Sequence, residues 1–255
     1  MKIAVTGKGG VGKTTLTVLL GRAAVAGGYA VFLIDADPDA NLATTLGIEE
    51  KIPPLLGFRD VIAERTGGEG GLVKLNPRVD DIPDHYSLLK EGMRIMVLGT
   101  VRQGGSGCAC PQNSFLRSLL IHLLLEREEL VIVDMEAGIE HLGRGTAQGV
   151  DALLVLVDTD RRSMETAGRI VQLAREVGVS RVLAVANKVR SASQLERFKK
   201  ELPASVPLLG YLGFDENLEL SDKQGFPQPE SNLIQQVKEI FSSLIKEIHS
   251  GGRNA

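Results

Sequence analysis

The 255-residue chain is 43% hydrophobic and 24% charged, a globular balance that excludes a disordered or fibrous protein. Lys+Arg 29 against Asp+Glu 32 leaves a net charge of −3, so no global field draws in nucleic acid or anionic lipid. Two cysteines are too few for a disulfide framework, and the apolar run 2–6 is too short for a signal peptide. A cytoplasmic protein that binds neither nucleic acid nor membrane is expected.

In chain order, a strand over 2–6 leads into a Gly-rich turn and a helix over 14–26, followed by a strand over 30–35. The span 16–34 approaches membrane length, but Arg22 and Gly27-Gly28 divide it into a helix, a stop and a strand. Residues 49–92, with Pro53-Pro54, Gly67-Gly68 and Gly70-Gly71, read as an irregular insertion with short elements. Strands are then predicted over 94–98, 130–134, 152–157, 181–186 and 207–212. Helices are predicted over 114–128, 163–177, 191–201 and 230–249. Continuous rather than alternating apolar runs imply strands covered on both faces. The expectation is a single α/β domain over 1–255, a doubly wound, mostly parallel sheet flanked by helices.

Gly7-Lys8-Gly9-Gly10-Val11-Gly12-Lys13-Thr14 fits the P-loop pattern, between a strand and a helix. Its glycines let backbone N–H groups converge on phosphate oxygens at a helix N-terminus. Lys13 is suited to neutralise β/γ-phosphates and the Thr14 hydroxyl to ligate Mg²⁺, with Thr15 beside it. Carboxylates at the C-terminal ends of parallel strands fall on the same edge. They are Asp35 and Asp37 after the second strand and Asp134 after the 130–134 strand, with Asp134 the candidate holder of magnesium waters. Gly138 offers a backbone N–H to the γ-phosphate.

The strand over 181–186 runs into Asn187-Lys188-Val189-Arg190. An Asn amide can pair with adenine, whereas Arg190, a pure donor, occupies the position where GTP-binding relatives keep a guanine-reading Asp. ATP is favoured over GTP.

The stretch from Lys8 to Thr15 resembles the deviant-Walker ATPases, the P-loop NTPase group of MinD, ParA and the nitrogenase iron protein. The resemblance implies that Lys8 crosses a homodimer interface to the partner's nucleotide. It also implies that Asp37 positions the attacking water, and that Asp134 and Gly138 belong to switch II. Two stretches are similar to the CooC-type maturation factors of nickel carbon monoxide dehydrogenase. One is Gly104-Gly105-Ser106-Gly107-Cys108-Ala109-Cys110; the other runs from Asp134 to Gly145. The implied activity is ATP hydrolysis coupled to nickel insertion, with carbon monoxide dehydrogenase as client and ATP/ADP, Mg²⁺ and Ni²⁺ or Zn²⁺ as cofactors.

Cys108 and Cys110 stand at i and i+2, where an internal disulfide would close a small, strained ring. Two thiolates are too few for a closed four-ligand site, but a two-fold dimer supplies two more. Both cysteines from both subunits would form one S₄ site, tetrahedral for Zn²⁺ and nearer square planar for Ni²⁺. A pair of free thiols is the alternative reading, because C-x-C alone says little.

Three other functions compete. A ParA- or MinD-like positioning ATPase needs a basic surface or a membrane helix; the apolar stripe Leu233, Ile234, Val237, Ile240, Phe241, Leu244, Ile245 and Ile248 lacks a basic flank and suits core packing. An iron–sulfur carrier needs a switch II cysteine, and 135–138 has none. Nickel insertion into acetyl-CoA synthase differs only in the client.

Overall fold

Uninterrupted Val, Ile and Leu runs form strands here because helices cover both of their faces. The computed structural model describes residues 1–67, 73–100, 111–138, 144–203, 206–216 and 231–250. Among these, the strands are β1 (Lys2–Gly7), β2 (Val31–Asp35), β3 (Leu88–Lys90), β4 (Met93–Val97), β5 (Leu130–Asp134), β6 (Ala152–Val157), β7 (Val182–Val189) and β8 (Leu208–Gly213). The long helices are α1 (Lys13–Ala26), α5 (Pro111–Ile121), α7 (Arg161–Val177), α8 (Ala192–Glu201) and α9 (Asn232–Ser250). The short ones are α2 (Leu42–Thr45), α3 (Arg59–Thr66), α4 (Ile82–His85) and α6 (Arg144–Ala147).

All eight strands join one sheet in the order β3-β4-β2-β5-β1-β6-β7-β8, parallel except for β3. The connection after β1 leads to β2 on one side and the connection after β5 leads to β6 on the other, so the crevice at the C-terminal ends of the adjacent β1 and β5 is a topological switch point. Alternation across the pleat divides the core. Ile3, Val5, Leu33, Ile132 and Leu154 meet Leu16 and Leu20 of α1 and Val237 and Leu244 of α9. On the other face, Ala4, Phe32, Val133 and Val155 meet Phe115 and Leu119 of α5, Ile170 of α7 and Phe198 of α8.

The expected doubly wound architecture is present, with differences of detail. β3 was not predicted: it is a three-residue antiparallel edge strand inside the 49–92 segment, too short to carry a period. The helix expected over 114–128 begins at Pro111 and ends in a π turn (His122–Glu126), where the Arg127 amide donates to His122 O at 3.3 Å. β7 runs on to Val189 and carries Asn187 and Lys188 within the strand.

Candidate nucleotide site

The P-loop leaves β1 and enters α1 through Gly12, whose φ of 98° favours glycine. A Cβ on Gly12 would also lie 2.6 Å from the Asn187 side-chain nitrogen. That closeness reflects a brace: Asn187 Nδ2 donates to Val11 O at 2.7 Å, and Asn187 Oδ1 accepts from Lys188 N at 2.8 Å. Lys188, in the left-handed region at φ 58°, donates from Nζ to Gly10 O at 3.1 Å. Two side chains of β7 thus hold two carbonyls of the loop, those of Gly10 and Val11.

Beside this brace lies a cavity of about 210 Å³, lined in part by Gly10, Gly12, Thr15, Asn187, Gly213 and Asp215. Arg190 does not line it; its guanidinium stacks 3.3 Å from the Phe214 ring centroid.

Three predicted carboxylates converge below the loop. Asp35 and Asp134 are in register on β2 and β5, and both are fully buried. Burial pushes the Asp35 carboxyl up to about 6, although the amides of Leu42 and Asp37 donate to it at 2.9 and 3.1 Å. Burial pushes Asp134 up to about 7, opposed by the Thr14 hydroxyl and reinforced by neighbouring Asp35. Thr17 Oγ1 lies 3.5 Å from Asp134 Oδ1, while Oδ2 has no hydrogen-bond partner among the described residues. An orphaned, buried carboxylate oxygen beside the Thr14 hydroxyl is a donor set that fits a hydrated magnesium ion. Asp37 lies 3.7 Å from Lys13 Nζ, both largely buried.

Two residues of this edge were not singled out from the sequence. The buried Thr6 hydroxyl lies 2.8 Å from Glu136 O and 2.9 Å from Gly138 O, pinning the segment after β5 to β1. The Gly138 amide donates to Glu136 O at 2.7 Å. Lys8 reaches the carboxylate of Asp160, the N-cap of α7, and the two are in direct contact. A buried hydroxyl ending β1 and an acid following β6 were the available signals, since both strands end on the nucleotide edge.

Cys108 and Cys110 lie outside the described residues, and no cluster of three or more metal-ligating side chains occurs among the described ones. The strand leading toward them is anchored at the site, because Leu98 N donates to Asp35 O at 2.9 Å. Leu56 holds both flanks: its amide donates to Leu98 O at 3.0 Å, and its carbonyl accepts from Gln112 Nε2 at 3.4 Å. No described helix is long and apolar enough to cross a membrane.

A parallel sheet with a braced P-loop at its switch point and carboxylates on the neighbouring strands defines a P-loop ATPase. Residues 2–227 match the CobQ/CobB/MinD/ParA nucleotide binding domain, and the chain belongs to that family. Within it the chain is a CooC-type deviant-Walker ATPase. It is 43% identical over 232 residues to the carbon monoxide dehydrogenase accessory protein CooC of Rhodospirillum rubrum, covering 88% of each chain. It is 41% identical to an uncharacterised ATP-binding protein of Methanocaldococcus jannaschii, covering 96% of this chain and 98% of the other. MinD of Aquifex aeolicus shares the fold, with a TM-score of 0.69 at 20% identity over 96% of both chains.

Proposed function

We propose that this ATPase assists nickel insertion into the active-site cluster of a carbon monoxide dehydrogenase. In this reading a nickel or zinc ion is held between Cys108 and Cys110 of two cytoplasmic subunits. The observation that carries the reading is the 43% identity to a carbon monoxide dehydrogenase accessory protein, which extends over nearly nine-tenths of both chains.

The site chemistry follows from the residues. Glycine amides of the P-loop receive phosphate oxygens, and Lys13 offsets their charge. Thr14 and Asp134 are the residues that would hold magnesium and its waters; bound there, the ion would withdraw charge from the β- and γ-phosphates. Asp37 orients the attacking water once Lys13 turns from it to phosphate. Gly138 donates its amide to the γ-phosphate, so loss of that phosphate frees switch II. Asn187 and Lys188 hold the loop in shape beside the base. Lys8 supplies a cation to the partner's nucleotide, a kind of contribution worth about 10³-fold or more in phosphoryl transfer. Dimer closure would then bring two cysteine pairs together, and hydrolysis would loosen them.

The test is metal analysis of the anaerobic full-length protein with ADP, ATP or no nucleotide, with oligomer mass measured in parallel. A dimer binding one zinc or nickel ion, lost on replacing Cys108 and Cys110 by Ser, is expected. Undiminished metal in that variant, or a monomer under every condition, would refute the reading.

A further inference from the structure

Lys8 is held at its backbone by the P-loop and at its side chain by Asp160. Its carbonyl accepts from Val11 N at 3.3 Å as part of the P-loop, while its ammonium lies outside the loop on Asp160, with about a third of the side chain exposed. The receiving carboxylate is built in place before the lysine arrives. Asp160 Oδ1 accepts from Arg162 N at 3.1 Å, capping α7, and leaves Oδ2 for Lys8. Asp160 N donates to Asp158 Oδ1 at 3.0 Å, and Asp158 N donates to the buried Ser163 hydroxyl at 3.0 Å. A chain of three hydrogen bonds therefore sets the direction of Asp160. The Lys8 contact and the Arg162 amide together hold its carboxyl below the usual aspartate range.

We infer that Asp160 is the intrasubunit holder of Lys8, and that ATP-driven dimer closure requires Lys8 to exchange Asp160 for the partner's phosphates. The inference rests on the trans role of Lys8 proposed above. The two engagements exclude one another, since an ammonium docked on its own subunit's carboxylate is withheld from the partner. Only side-chain torsions of Lys8 need to change, because its peptide is already fixed in the P-loop. The exchange swaps a carboxylate for a more highly charged phosphate, which sets its direction when ATP is bound. An exposed ion pair shifts an equilibrium by a factor of about two to five. A symmetric dimer releases two such pairs, so the holder opposes dimerisation by about four- to twenty-fivefold.

Asp160→Asn tests this, because Asn still caps α7 while the charge is lost. Sedimentation velocity of the full-length protein with magnesium and a slowly hydrolysed ATP analogue would give the dimerisation constant. Asp160→Asn is expected to tighten the dimer about four- to twenty-fivefold, and to have no such effect in a Lys8→Ala background. An unchanged or weakened dimer would overturn the inference, and Asp160→Ser, which also caps, guards against a folding artefact. A double-mutant cycle on melting temperature at low and high salt separates the two ideas. Additive effects of Lys8→Ala and Asp160→Asn mean that Asp160 does not hold Lys8. Coupled effects, with wild type and Asp160→Asn both monomeric at every concentration, mean that the pair forms but the trans role of Lys8 is wrong, and the exchange falls with it.

Discussion

Asp35 and Asp134 stand opposite one another on β2 and β5, both without solvent exposure, yet their carboxylates are treated differently. Both oxygens of Asp35 are taken by backbone amides, those of Asp37 and Leu42, so this residue shapes the loop that carries Asp37. Asp134 keeps Oδ2 without a partner among the described residues. One buried acid is structural; the other is left available to a cation.

This arrangement sets a pH dependence. Burial raises both carboxyls, to about 6 and about 7, above an unfolded value of 3.8. Between about pH 4 and pH 7 the native state binds more protons than the unfolded one, so these two groups make stability fall as pH rises. Asp81 and Glu129, lowered by their arginine partners, act oppositely at more acid pH and are common to wild type and variant. Asp134→Asn is expected to flatten the slope and to exceed wild type at pH 7.5 by on the order of 1–3 kcal/mol. Its ATPase should fall by about a hundredfold or more. Urea unfolding in chelator at pH 5 and 7.5 measures the first effect and phosphate release the second; equal slopes would contradict the buried-charge account.

Asn187→Ala removes the brace on Val11 O while leaving the P-loop sequence intact. A lost half-buried hydrogen bond is worth about 1 kcal/mol, which corresponds to roughly a fivefold rise in the dissociation constant for ATP. Titration calorimetry with ATP decides it, and an unchanged affinity would show that the loop holds its shape alone.

Thr6→Val keeps the volume of the side chain and deletes its hydroxyl, leaving Glu136 O and Gly138 O without that donor. Global stability should fall by about 1–3 kcal/mol. Hydrogen exchange at 136–138 should quicken, and hydrolysis should suffer more than ATP binding. Thr6→Ser should restore most of each property. Slow exchange persisting in Thr6→Val would show that Thr6 does not hold residues 136–138.

The sequence already spoke clearly wherever local chemistry and global fold agree. Seven parallel strands could be read because burial on both faces demands an unbroken apolar run, as in Leu130–Asp134. The P-loop could be read because only glycine tolerates both the backbone of Gly12 and the nearness of Asn187. Contacts between distant segments leave no such mark. Thr6 and Glu136 are 130 residues apart, and Lys8 and Asp160 are 152 apart. β3 gains its conformation from pairing with β4 rather than from its own three residues. Asn187 was visible as a candidate for the base, but its bond to the P-loop carbonyl depends on where β7 lies beside β6 and β1.

The two lysines of the P-loop differ in environment, and their loss should differ in kind. Lys13 is buried beside Asp37, at the N-terminus of α1 where phosphate would lie. Lys13→Ala should therefore abolish ATP binding and with it all later steps. Lys8 lies outside the loop on Asp160, about a third exposed. Lys8→Ala should bind ATP with nearly wild-type affinity, because no phosphate of its own subunit depends on it. On the proposed trans role of Lys8, hydrolysis should nevertheless fall by about 10³-fold, because the partner's nucleotide loses that cation. Mixing Lys8→Ala with an Asp37→Ala chain makes the comparison sharper. In the mixed dimer, the one site with an intact Asp37 belongs to the Lys8→Ala chain and receives its cation from the Asp37→Ala chain. Recovery of hydrolysis on mixing, measured by phosphate release, is expected if Lys8 works across the interface, and no recovery if it works within its own subunit.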